Sequence, residues 1–491
     1  MKKTTDYSNI IRYTSLFGGV QGLNILVGIV RNKLVAMLLG PDGMGLISLF
    51  NSTMKFVSES TNMGISISAV RKISEHFDRN DTEALEREIN LVRSWSCCTG
   101  LLGMLVALVF SPLLSRFTFS WNGHTLHFAL LSPIVAMMAI TGGELAILKG
   151  IRRLNKLALI SVLNVVGALL TSIPLYYLFL EQAIVPSLVL MAAIQMGVTI
   201  AYSYRLHPLR ISFRWANLQQ GAAMLRLGIA FVLAGILGSG ADFFIRSYLS
   251  NAASIEMVGL YNAGYMMTMT YVGVVFTAME TDFFPRLSGV NGYAFTFSQT
   301  VNRQIEVMLL LVSPLLAVFS LLLPTLLPLL YTGKFLPALD MMQVVMLAMY
   351  FRALKLPVQY IPLAKGDSLS YLFLEAIYDI LLIVLVIVFF NLYGLVGAGW
   401  GITLAGFIDF VVVFIYARWR YDYRPSKTIF AYAIILIPIG LLIYFVTSSP
   451  DPRIYWGAGV LLALCSTATS VFILRKKTNL WNKLIDKICR R

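Results

Sequence analysis

The sequence predicts an all-α polytopic membrane protein with about fourteen transmembrane helices, and three observations lead there. Of its 491 residues, 58% are hydrophobic and 13% charged, with a mean hydropathy of +0.76. A soluble domain carries roughly a quarter charged residues, because its surface needs polar cover. The apolar residues gather in stretches of about twenty or more, the length that crosses a hydrocarbon layer as a helix. Lysine and arginine collect between alternate stretches, as they do in chains threaded through a membrane.

The stretches read as spans are 11–39, 44–70, 92–115, 127–148, 157–179, 183–204, 223–249, 257–284, 303–330, 336–363, 369–390, 393–417, 428–447 and 454–474. The N-terminus, Met1-Lys2-Lys3 and a polar stretch before Ile10, lacks a short apolar core with a small-residue cleavage site and reads as the approach to the first span. No connection is long enough for a folded domain. The longest polar one, Arg71 to Arg93, reads as an amphipathic interfacial helix continuous with its neighbours.

Charge sets the orientation. Of 39 lysines and arginines, 30 fall on one side of these spans and three (Arg116, Lys334 and Arg453) on the other, so both termini are expected in the cytoplasm. The net charge of +15 is then a topology signal and an attraction to anionic headgroups, with no nucleic-acid partner implied. Four cysteines (Cys97, Cys98, Cys465 and Cys489) and four histidines fall into no metal-ligand spacing, and free thiols are expected. No cofactor is expected, and no Gly-x-x-x-x-Gly-Lys-Ser/Thr run occurs to bind ATP.

Two segments resemble each other. Val30-Arg31-Asn32-Lys33-Leu34 is followed by Met44-Gly45-Leu46, and Ile245-Arg246-Ser247-Tyr248-Leu249 by Val258-Gly259-Leu260. Both lie at the outer end of an odd-numbered span, six spans apart, so the two halves share one orientation. The expected organisation is a parallel repeat of two six-helix lobes, residues 1–215 and 216–420, with an added helical hairpin and basic cytoplasmic tail over 421–491.

A charge at the centre of a span costs about 2.5–3.5 kcal/mol even on the milder insertion scales. The candidates inside these spans are Arg31, Lys33, Lys55, Glu59, Glu144, Asp242, Arg246, Glu280, Asp282, Arg352, Lys355, Glu375, Asp379 and Asp409. Glu144, Glu280, Asp282 and Asp409 lie near cytoplasmic ends and read as interfacial or capping carboxylates. Lys55 and Glu59 are four residues apart, as are Asp242 and Arg246, so each opposite-charge couple can pair along one helix face. Glu375 and Asp379 share that spacing but repel each other unless a cation, a proton or a base intervenes. Arg352 and Lys355 form a cationic face. Cations from four spans (Arg31, Lys55, Arg246, Arg352 and Lys355) are candidates to line a cavity for an anionic, phosphate-bearing ligand. Glu59, Asp242, Glu375 and Asp379 are the candidate coupling or pairing carboxylates. The competing reading makes all these charges salt bridges that only hold helices together.

Six short runs carry a family resemblance: Leu39-Gly40-Pro41-Asp42-Gly43-Met44-Gly45-Leu46, Ala69-Val70-Arg71-Lys72-Ile73, Lys149-Gly150, Val258-Gly259-Leu260-Tyr261, Phe284-Pro285-Arg286-Leu287-Ser288 and Ala364-Lys365-Gly366. In order and spacing, over residues 8–420, the chain resembles the polysaccharide transporters of the MOP (MATE-like) exporter superfamily, the Wzx-type flippases above all. The resemblance implies a bacterial inner-membrane flippase that is no enzyme. It would move an undecaprenyl-diphosphate-linked oligosaccharide, such as an O-antigen unit, to the periplasmic leaflet by alternating access of two lobes. Membrane lipids are implied partners, with a polysaccharide polymerase and a chain-length regulator beside them. Arg31 is similar in placement to a cavity arginine of the related lipid II flippases, which the fourteen spans also resemble.

Two other functions compete. A MATE-type cation-coupled drug antiporter calls for an acidic cavity, against which the mid-span cations weigh. An O-antigen polymerase or ligase calls for a large outer loop with paired basic residues, and the outer loops here are short.

Overall fold

Hydrocarbon offers backbone N–H and C=O groups no partner, so a chain of this composition satisfies them within helices. The structure, a computed structural model, describes residues 2–120, 122–208, 229–288, 294–449 and 451–477, and among these no strand occurs. The chain divides into two compact units, Met1–Gly259 with Leu330–Thr332, and Leu260–Leu329 with Gly333–Arg491. The expected lobe boundary at 215/216 lies outside the described residues, as does most of the basic tail.

The first unit holds α1 (Lys2–Thr61), α2 (Ile65–Asp78), α3 (Thr82–Val109), α4 (Ser111–Phe119), α5 (Thr125–Gly150), α6 (Leu154–Phe179), α7 (Ile184–Leu206) and α8 (Ile229–Ala252). The short α9 (Ile255–Tyr265) begins beside the boundary. The second unit continues with α10 (Val274–Ser288), α11 (Ala294–Leu330), α12 (Leu339–Ala364), α13 (Ser368–Tyr421), α14 (Lys427–Thr447) and α15 (Pro452–Lys477).

Among the described residues ten helical stretches are long and apolar enough to cross a membrane, and three of them run to 40, 52 and 54 residues, about twice one crossing. Each of the three contains a break. In α1 it is Gly40 (φ 66°, ψ −167°) and in α13 Gly394 (φ 61°, ψ −141°), both with a positive φ that a side chain rarely adopts. In the third, Leu180 (φ 50°) begins a 3₁₀ turn between α6 and α7. Past Gly394 the arms of α13 fold back on each other, since a Cβ at Gly401 would lie 2.6 Å from the Cα of Val386. Outward side chains such as Ile434 (71% exposed), Leu170 (67%) and Phe445 (66%) suit lipid, whereas water would charge about 25 cal/mol for each Å² of such surface.

Three expectations need correction. The span expected over 44–70 ends at Thr61, and the chain breaks over Asn62–Gly64 before α2. The single amphipathic helix expected over 71–93 is two helix ends, because Asn80 turns left-handed (φ 53°) and Asp81 caps α3 by accepting from the Ala84 N–H at 3.0 Å. The span expected over 257–284 is interrupted by a π-helical turn at Met266–Tyr271.

Inside the first unit, the glycines of the two matched motifs pack reciprocally. A Cβ at Gly45 would sit 2.1 Å from the Ile255 carbonyl oxygen, and one at Gly259 would sit 1.9 Å from that of Pro41. Each glycine thus faces the residue four places before the other. Only a hydrogen side chain admits backbones this close.

Glu144 is no interfacial carboxylate, and Arg93 is no loop charge. Both are about 98% buried, and Arg93 Nε donates to Glu144 Oε1 at 2.8 Å while Nη2 reaches Oε2 at 3.3 Å. The remaining guanidinium donors meet the carbonyls of His207 and Pro208, each at 3.0 Å, and Ser203 Oγ donates to Glu144 Oε2 at 2.5 Å. The cluster ties α3, α5 and the C-terminal end of α7 together beside an apolar core of Ile65, Ile73, Ile89, Val92 and Ile147. Burial, helped by Arg93, pushes the His207 imidazole below its ordinary pKa.

Removing one partner of a buried pair strands the other charge, at a cost of about 3–5 kcal/mol, whereas an exposed pair contributes about 0–1 kcal/mol. Glu144→Ala is therefore expected to lower the thermal midpoint of the purified protein by many degrees, and Arg79→Ala, which opens the exposed Arg79–Glu75 pair, to leave it nearly unchanged. Comparing the two melting curves checks this.

Candidate functional site

Three helical faces in the second unit turn residues at helical spacing, most of them polar, toward one space. They are Arg352, Lys355 and Gln359 on α12, Tyr371, Glu375 and Tyr378 on the first arm of α13, and Ile402, Gly406 and Asp409 on its second arm. With Tyr265 at the end of α9 and Met269 in the π-helical turn, they line a cavity of about 300 Å³.

Charge in the cavity is matched in one pair. The Lys355 ammonium donates to Asp409 Oδ2 and lies 4.6 Å from the centre of the Tyr378 ring. Gln359 Nε2 donates to Glu375 Oε1. Arg352, like Glu375, meets no opposite charge among the described residues. Its guanidinium lies 5.1 Å from the centre of the Phe276 ring and makes no ion pair among the described residues.

At the cytoplasm-facing end expected from charge, Asp367 caps α13 through Ser370. The Ser370 hydroxyl and N–H, with the Tyr421 hydroxyl, hold the Asp367 carboxyl below the usual carboxylate range. This fixes the start of the helix that carries Glu375.

The other candidate residues lie in the first unit. Arg31 is half-buried, with Nε donating to Ser172 Oγ at 3.2 Å on α6 and Nη2 lying 3.3 Å from Met191 Sδ on α7. Arg246 pairs with Asp242 at 2.7 Å, as its spacing predicts, and its Nε donates to Ser48 Oγ at 2.9 Å on α1. Lys55 is exposed, Glu59 is half-buried, and no ion pair joins them among the described residues. Lys33 donates to the backbone carbonyl of Tyr331. The structure thus brings Arg352, Lys355 and Glu375 into one cavity. Asp379 is buried one helical turn beyond Glu375, outside the lining. The side chains of Glu280 and Asp282 lie outside the described residues.

Sequence reasoning missed Asp409, Gln359 and the tyrosines. Asp409, expected at the headgroups, is instead buried against Lys355. The polar stripe at 352, 355 and 359 was the available signal for Gln359. Nothing in the sequence couples Asp409 to a lysine 54 residues away.

The model of the polysaccharide biosynthesis protein family matches residues 10–290, more than half of the chain. The chain belongs to this family. Its fold is that of the MOP-superfamily transporters. An inward-facing multidrug-resistance MATE transporter of that superfamily is similar at a TM-score of 0.68 and 15% identity, over 81% of this chain and 94% of that one. The lipid II flippase MurJ in an inward closed conformation is similar at 0.66 and 14% identity, over 94% and 99%. An outward-facing MATE transporter is similar at 0.61 and 16%, over 84% and 95%. Among curated proteins no sequence match is found.

For the Lys355–Asp409 pair, either single truncation is expected to cost about 3–5 kcal/mol, while replacing both by apolar residues of similar volume recovers most of that loss. Thermal melts of Lys355→Met, Asp409→Leu and the double variant check this. A strictly additive double loss is the result this account does not allow.

Proposed function

We propose that this chain is a flippase that carries a lipid-diphosphate-linked oligosaccharide across a bacterial inner membrane. The observation that carries the reading is a polar, tyrosine-lined cavity inside a membrane-spanning unit of a polysaccharide-family chain. The lipid tail stays in hydrocarbon throughout, so only the diphosphate and the sugars need a polar path. The cargo is undecaprenyl-diphosphate carrying an O-antigen or similar repeat unit, delivered from the cytoplasmic to the periplasmic leaflet by alternating access of two lobes. Both termini then face the cytoplasm, in keeping with the lysine and arginine bias. A polysaccharide polymerase and a chain-length regulator act next on the delivered unit.

The basic side chains within the spans have a chemical role in this reading. A guanidinium offers a planar fork of donors that matches a phosphate oxygen pair and is less strongly hydrated than an ammonium. Arg31 and Arg246 provide such forks in the first unit, and Ser172, with Asp242 and Ser48, orients them. A membrane potential, which supplies about 2.3 kcal/mol per charge for each 100 mV, is the drive in this reading.

Arg31→Ala, Arg246→Ala and Arg352→Ala are each expected to lower the amount of surface polysaccharide several-fold while the protein remains in the membrane fraction. Immunoblots of the membrane and stained gels of the cell-surface glycan report both. Normal surface glycan in all three variants contradicts the reading, and altered drug tolerance with normal glycan points to an antiporter.

A further inference from the structure

We infer that the cavity of the second unit is a sugar subsite that selects a carboxylate-bearing residue of the oligosaccharide, with Arg352 as its anion-binding group. The inference rests on the flippase reading for its substrate and adds which part of that substrate this cavity takes.

Charge accounting separates a sugar carboxylate from the diphosphate. Lys355 is taken up by Asp409, and Gln359 occupies Glu375 without neutralising it. What remains is one guanidinium without a carboxylate partner among the described residues and one carboxylate in the same wall. A diphosphate brings about two negative charges into a low-dielectric site, and here only one guanidinium stands ready against them among the described residues, with Glu375 in the same wall. A single planar carboxylate matches the Arg352 fork, and Glu375 faces hydroxyl donors rather than a second anion.

Size and lining agree with a sugar. A volume of about 300 Å³ is at the lower end for small-molecule pockets, the scale of a mono- or disaccharide. Tyr265, Tyr360, Tyr371 and Tyr378 supply flat apolar faces with polar tips, which suit a ring that is apolar on its C–H face and polar at its rim. The π-helical turn at Met266–Tyr271 carries Met269 into the lining, and such turns concentrate at functional sites in helices.

The test uses the full-length protein in lipid nanodiscs and saturation-transfer NMR with D-glucuronate, D-glucose and inorganic pyrophosphate. Glucuronate is expected to bind at least about tenfold better than glucose, the worth of one charge-assisted hydrogen-bond pair. Arg352→Gln removes that preference, and pyrophosphate does not displace glucuronate. Equal binding of glucuronate and glucose overturns the inference, as does displacement by pyrophosphate or an unchanged preference in Arg352→Gln. Should Arg352→Gln not fold, the two wild-type comparisons decide alone. If glucuronate selectivity holds but lipid-linked substrate is not translocated by proteoliposomes, the flippase reading fails and the sugar site stands.

Discussion

Hydrocarbon can neither hydrogen-bond a peptide group nor solvate a charge, and most of this structure follows from that deficiency. It forces the chain into helix and removes the hydrophobic drive between helices. Packing is left to close backbone approach and to polar contacts. The reciprocal contacts of Gly45 with Ile255 and of Gly259 with Pro41 are the first kind. Arg93–Glu144, Arg246–Asp242 and Lys355–Asp409 are the second. A charge that stays in such a bundle is paired or is held ready for something polar that passes through.

The same constraint shows why these charges are not interchangeable. Arg93 is saturated by a bidentate carboxylate and two backbone carbonyls, so it has nothing to offer a ligand and acts as a clamp on the end of α7. Lys355 is likewise bound to Asp409, yet it lines a cavity, where the pair contributes polarity without net charge. Arg352 lies against the Phe276 ring with no carboxylate partner among the described residues, and its guanidinium is what gives the cavity chemical direction. Charge inside a span therefore carries two roles here, and the partner decides which.

Much of the fold was legible because a crossing needs only length and apolarity, both one-dimensional properties. The fourteen expected spans find their counterparts in the ten long stretches, three of them doubled, and in the π-interrupted stretch that starts at Ile255. What the sequence hid is local or long-range. The break at Asn62–Gly64 and the turn at Asn80 depend on backbone conformation that an apolar run does not reveal. Arg93 and Glu144 are 51 residues apart, and Lys355 and Asp409 are 54 apart, so their pairing waits on tertiary packing. The i, i+4 couples divide instructively. Asp242 and Arg246 pair, with Ser48 holding the guanidinium in place, while the exposed Lys55 and the half-buried Glu59 do not. Spacing permits a pair, and burial with a supporting hydrogen bond makes it.

The central claim is that the polar interior carries a lipid-diphosphate-linked glycan between leaflets. Its most direct measurement places the purified protein in liposomes with a fluorescent polyprenyl-diphosphate oligosaccharide and follows protection of the glycan from an external glycosidase. Protein-dependent exchange of the glycan between leaflets, lost in Arg31→Ala and Arg246→Ala, is the result predicted. Leaflet exchange equal to that of protein-free liposomes, with the protein folded and inserted, would contradict it.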